Sequence, residues 1–158
     1  MLTNNTTQLS QNEHLANFVQ TKKWDWFLTF TTEYDLSYNS ARRLNNRYFK
    51  NLHSLGKNSF YSMFYTIEPH QIKGGTHIHA LLSTEFDDRI NDGVMFQFLL
   101  QQWKRTAGKN SNGTYHRNKI GKIKGSKEAV SKYCVKYITK ETQLHWDYLI
   151  SGMTNFIN

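Results

Sequence analysis

The chain has 158 residues, a length suited to one domain around a single core. Hydrophobic residues make up 38% and aromatics 15%, so burial is feasible, yet no run of about eighteen apolar residues occurs to suggest a membrane span. Twenty Lys+Arg against twelve Asp+Glu give a formal charge of +8 and a sequence pI near 9.6, an excess that favours polyanions and nucleic acid first among them.

The N-terminus, "MLTNNTTQLSQNEHLANF", lacks a basic region followed by an apolar block and does not resemble a secretory signal. The one cysteine, Cys134, has no partner within the chain for a disulfide, which suits a reducing, cytoplasmic setting. Residues 1–23 are polar and rich in Asn, Thr and Gln, and read as an arm or a short helix around "NEHLANFVQ". Residues 24–158 read as the single domain.

In "KKWDWFLTFTT", Trp24, Trp26, Leu28 and Phe30 alternate with Asp25, Phe27, Thr29 and Thr31, the pattern of a strand with one heavily apolar face. A helix is predicted from Asn39, with Ala41, Leu44, Tyr48, Leu52 and Leu55 as its apolar stripe and Gly56 as its stop. Arg42, Arg43, Arg47 and Lys50 lie off that stripe. "SFYSMFYTIE" is aromatic and β-branched and predicts a second strand that Pro69 closes. After "PHQIKGG" comes the strand "THIHALL".

Phe96, Leu99, Leu100 and Trp103 then mark one side of a second helix in "VMFQFLLQQWKR". A loop follows at Gly108 and "KNSNG", then the basic extended segment "TYHRNKIGKIK". "SKEAVSKYCVKYITKE" predicts a last helix capped by Ser126, and "LHWDYLI" a further strand. This order predicts an α+β fold: one central antiparallel sheet of about five strands with packed helices, of ferredoxin-like or RNA-recognition-like topology.

Two constellations carry chemistry. His77 and His79 flank Ile78, so a strand aims both imidazoles to one face. If the two strands pair around 69–76, Glu68 lies opposite His77, and directly opposed residues share a face. Two imidazoles and a carboxylate make a ligand set with open positions, suited to Mn²⁺ or Mg²⁺ as well as Zn²⁺. The bland alternative is a pair of solvated histidines. The histidines at 14, 53, 70, 116 and 145 have no comparable partner in the sequence.

The second constellation is "YCVKYITK", two overlapping Tyr-x-x-Lys units formed by Tyr133, Lys136, Tyr137 and Lys140. On a helix, with about 100° per residue, the two tyrosines stand about 40° apart and the lysines on the same side. Val130, Cys134 and Ile138 form the apolar stripe. A phenol there could serve as a nucleophile if a cation, base or metal assists it. An ordinary amphipathic helix with packed tyrosines is the other reading.

Taken in order, "FLTFT" (27–31), "HIHALL" (77–82) and "YCVK" with "YITK" resemble the three motifs of the HUH endonucleases. The resemblance spans about residues 24–141. Glu68 sits where circovirus-type initiators carry an acidic metal ligand. Within that superfamily the histidine-before-tyrosine order looks like a rolling-circle replication initiator (Rep). The doubled tyrosine is similar to two-tyrosine bacteriophage initiators and Helitron-like transposases.

The resemblance implies a metal on Glu68, His77 and His79, with Mn²⁺ or Mg²⁺ favoured over Zn²⁺. It implies a tyrosine attack on single-stranded DNA at an origin or hairpin, through a 5′-phosphotyrosine link. Tyr133 is favoured as first nucleophile, with Tyr137 open for that role or for a second transfer, and Lys136 or Lys140 would assist. Arg42, Arg43, Arg47, His116, Arg117, Lys119, Lys122 and Lys124 are candidate DNA contacts. Circovirus and geminivirus initiators carry a fused helicase domain that 158 residues cannot hold. A separate helicase and a host polymerase are therefore expected partners, unless the chain is a fragment of a longer protein. The expected setting is a prokaryotic cytoplasm, or a nucleus if the source is a eukaryotic virus. Competing expectations are an insertion-sequence or Helitron-like transposase, and a non-catalytic single-stranded nucleic-acid-binding module whose sheet aromatics stack bases.

Overall fold

The computed structural model describes residues 4–55, 61–69, 76–84, 90–111, 117–124 and 145–150. Helix α1 runs Asn4–Thr21, strand β1 Trp26–Thr31, helix α2 Tyr38–Leu55, β2 Tyr61–Pro69 and β3 Thr76–Thr84. Helix α3 follows at Asp92–Ala107, then a 3-10 turn at Gly108–Ser111, β4 at Lys119–Lys122 and β5 at His145–Ile150. Among the described residues this is an α+β fold of three α-helices and one antiparallel sheet, in strand order β4-β1-β3-β2-β5.

The first four strands obey the ferredoxin-like rule. β1–α2–β2 leaves a gap that β3 fills, and β3–α3–β4 crosses over β1, so two split βαβ units interleave. β5 adds a fifth strand beside β2. Because β3 lies between β1 and β2, the strand carrying both histidines is the middle one of the five.

Alternation along the strands sorts the sheet into two faces. Trp26, Leu28 and Phe30 of β1 share the rear face with Met63, Tyr65, Ile67, Ile78, Ala80 and Leu82, and α2 and α3 cover them in one core. Phe30 stacks on Trp103 of α3 with centroids 4.2 Å apart and planes 5° from parallel. Tyr48 of α2 meets Phe30 edge-on and donates its hydroxyl to the Leu99 carbonyl.

Local chemistry sets the helix ends. Ser37 accepts the Ser40 amide ahead of α2, and Asn91 Oδ1 accepts the Gly93 amide ahead of α3. Gly108, at φ +54°, ends α3 in a conformation that a side chain would resist.

Three expectations change. The N-terminal helix is longer than the short one expected around "NEHLANFVQ", starting at Asn4. It has few apolar anchors, Leu15 and Val19 chief among them, and they pack on Trp24, Phe64 and Leu81. Trp24 does not share the apolar face of β1: the strand starts at Trp26, and Trp24 turns to α1, donating its indole N–H to the Val19 carbonyl. Leu55 is 54% exposed, because α2 outruns the sheet by its last turn and nothing covers its end of the stripe. The expected helix around "SKEAVSKYCVKYITKE" lies outside the described residues.

Candidate functional site

Opposite the main core, the front face of the sheet is divided. Phe64 and Leu81, with Phe27 and Tyr148 beside them, lie under α1. The other half is polar and carries Thr29 and Thr31 of β1, Thr66 and Glu68 of β2, and His77 and His79 of β3.

The ladder register builds this cluster. β2 and β3 pair with Glu68 opposite His77 and Thr66 opposite His79. β1 and β3 pair with Thr31 opposite His77 and Thr29 opposite His79. Opposed residues in an antiparallel pair share a face, so six polar side chains are brought together over three strands. The hairpin register expected between Glu68 and His77 is the one observed.

Both histidines are held from behind. Thr29 Oγ1 stands 3.1 Å from His79 Nδ1, and Thr31 Oγ1 2.9 Å from His77 Nδ1. Each hydrogen bond occupies one ring nitrogen and fixes the ring plane, which leaves Nε2 as the outer atom. His79 Nε2 lies 3.4 Å from Glu68 Oε2, with these side chains 12% and 20% exposed. The imidazoles stand 6.2 Å apart between centroids, and Phe27 stacks beside His79 at 6.3 Å.

Neighbouring contacts fix the frame. The Thr31 amide donates to Asn118 Oδ1, and the Thr76 amide, next to His77, donates to Thr32 Oγ1 at 2.8 Å. Thr66 Oγ1 is buried on the cluster side of β2 without a hydrogen-bond partner among the described residues. Thr29, Thr31, Thr66 and Asn118 escaped the sequence reading. Their signal was the Thr-x-Thr alternation in β1, which marks a polar face and not its partner strand.

A divalent cation suits the donor types: two imidazoles whose Nδ1 atoms are engaged, and a carboxylate across the ladder. Among the described residues, no three His, Cys, Asp or Glu side chains are gathered closely enough to hold an ion between them. What is assembled is the His79–Glu68 contact, with His77 opposed to Glu68 in the ladder.

The basic candidates fall in different places. Arg42, Arg43 and Arg47 lie on α2, behind the sheet from the cluster. Arg43 donates to Ser40 Oγ, and Arg47 to the Thr106 carbonyl in the last turn of α3. Lys122 pairs with Asp92 in the first turn of α3, and Arg117 stands 3.6 Å from Glu33. Lys119 is the one brought to the cluster: it opposes Thr29 on β4 and is exposed. Lys124 is exposed just beyond β4. His116 and the four residues Tyr133, Lys136, Tyr137 and Lys140 lie outside the described residues.

A ferredoxin-like antiparallel sheet with a histidine–carboxylate cluster on its central strands defines the class: a basic α+β protein with a polar site on an otherwise apolar sheet. The chain belongs to the replication-associated protein family of the ORF2 type, whose sequence model matches residues 25–142, well over half of its length. That stretch runs from the residue before β1 through the Tyr-x-x-Lys segment, and it leaves out α1 and β5. No curated protein and no solved structure matches the chain. No helix among the described residues is long and apolar enough to cross a membrane.

Proposed function

We propose that this chain nicks and rejoins single-stranded DNA at a replication origin and so initiates rolling-circle replication, as an endonuclease of the HUH type. The observation that carries this reading is the ladder register, with Glu68 opposite His77 and 3.4 Å from His79, inside the segment that matches a replication-associated family. Glu68, His77 and His79 would hold Mn²⁺ or Mg²⁺, which supplies positive charge beside the scissile phosphate when bound.

The remaining steps use the chain's own groups. The phenol oxygen of Tyr133 forms the new bond to phosphorus and its proton passes to water or a nearby base. The bond from phosphorus to the 3′ oxygen breaks, leaving a 5′-phosphotyrosine and a free 3′-hydroxyl for a polymerase. Lys136 or Lys140 stabilises charge on the phosphate, and Tyr137 is available for the joining transfer. Lys119, exposed beside Thr29, is placed to meet a backbone phosphate of the strand lying over the cluster.

The rival reading, a module that stacks bases on sheet aromatics, is disfavoured because Phe64 lies 2% exposed in the cluster that α1 covers. The test is incubation with labelled single-stranded DNA carrying the cognate origin and Mn²⁺, followed by a denaturing gel. A covalent band is expected, lost in His77→Ala and in Tyr133→Phe. Binding without cleavage on every origin sequence would sink the proposal. A band that survives Tyr133→Phe and disappears in Tyr137→Phe reverses the order of the tyrosines.

A further inference from the structure

The partners of the two histidines are hydroxyls, and this choice has a chemical consequence. A carbonyl or carboxylate can only accept a hydrogen bond, so it holds a neutral imidazole with the proton on the nitrogen facing it. A threonine hydroxyl both donates and accepts. It can therefore support either tautomer by turning its own hydrogen.

The structure makes that freedom useful at His79. Its Nε2 faces the Glu68 carboxylate at 3.4 Å, while Thr29 Oγ1 sits 3.1 Å from Nδ1. With no cation present, a bare lone pair on Nε2 would point at a negatively charged oxygen, whereas an Nε2–H there is attracted to it. A cation bound through Nε2 needs the opposite arrangement, with the lone pair outward and the proton on Nδ1.

We propose that Thr29 and His79 form a tautomer-exchanging pair that lets the site stand empty or loaded without an unsatisfied group. In the empty site Thr29 Oγ1–H donates to Nδ1 and Nε2–H faces Glu68. On loading, the Nε2 proton leaves to water, a proton from water arrives on Nδ1, and Nδ1–H donates to Thr29 Oγ1. The ring is neutral before and after and the proton count is unchanged. Thr29 is thus a positioning residue acting through His79. Thr31 stands in the same relation to His77, at 2.9 Å.

The inference rests on the metal-site reading and is separable from it. The measurement is long-range ¹H–¹⁵N correlation of the histidine side chains in the full chain, at a pH where the rings are neutral, during titration with Mg²⁺ alone. His79 is expected as the Nε2–H tautomer without Mg²⁺ and as Nδ1–H with it. Thr29→Val should leave the Mg²⁺-free tautomer in place and weaken Mg²⁺ binding about ten- to a hundredfold. Thr29→Ser should restore both states. Thr66→Val, on the other flank of His79, serves as control and should change neither. Mg²⁺ binding with His79 as Nδ1–H throughout overturns the exchange and leaves the metal site standing. Absence of any Mg²⁺-dependent change at His77 and His79 overturns the metal site, and the exchange with it.

Discussion

Phe30 is the residue on which the positioning of the cluster can be tested from behind. It lies between Thr29 and Thr31, is fully buried, stacks on Trp103 at 4.2 Å and meets Tyr48 edge-on at 5.2 Å. Phe30→Ala removes a whole ring from a close-packed core, which costs about 3–5 kcal/mol for such truncations. The two ring pairs, at about 0.5–1.5 kcal/mol each beyond their area, place the loss toward the upper end. For a chain of this length each kcal/mol moves the midpoint by about 2–4 °C, so Tm should fall by about 6–20 °C. Phe30→Leu keeps most of the volume and loses the stack, for about 1–2 kcal/mol. Thermal unfolding followed by circular dichroism, with urea titration as a second measure, reads both variants. A fall under about 3 °C for the alanine variant, or a leucine variant as damaged as the alanine one, would refute the packing argument.

Two further outcomes follow from single contacts. Asp25 Oδ2 accepts the Thr84 amide at 2.8 Å at the far end of β3, so Asp25→Ala should cost about 1–3 kcal/mol in urea unfolding, and Asp25→Asn, which keeps an acceptor, should recover part of it. Lys119→Ala should reduce the slope of log K against log salt for single-stranded DNA by about 0.7, while Lys122→Ala should leave the slope unchanged. Lys122 is held by Asp92, so equal effects of the two substitutions would count against the placement of DNA on the front face.

Local pattern carried much of the architecture. The apolar alternation Trp26, Leu28, Phe30 and the stripe Ala41, Leu44, Tyr48, Leu52 became the core that α2 and the sheet share. The Glu68–His77 pairing was legible because a hairpin ties two neighbouring strands and fixes their register within a short loop. The Thr29–His79 and Thr31–His77 pairings were not, since α2 and β2 separate β1 from β3 in the chain and no local signal states which strands meet.

Helix α1 escaped for a different reason. Its Asn- and Thr-rich sequence has weak intrinsic preference for a helix, and contacts with Trp24, Phe64 and Leu81 stabilise it in place. Trp24 was misplaced by extending the alternation two residues too far, past the point where the chain leaves the sheet toward Val19. The tyrosine helix stays a sequence expectation, as its residues lie outside those the structure describes.

The middle position of β3 has a consequence for when the site exists at all. Every member of the polar cluster, from Thr29 to His79, belongs to β1, β2 or β3, one continuous stretch ending at Thr84. Strands buried between two neighbours open only with the larger cooperative unit around them. The amides of His77 and His79 should therefore exchange with solvent at the same free energy as those of Leu28 and Tyr65, and more slowly than those of the edge strand β4. Local fraying would not dismantle this cluster one residue at a time. It would be present whole, or lost with the fold.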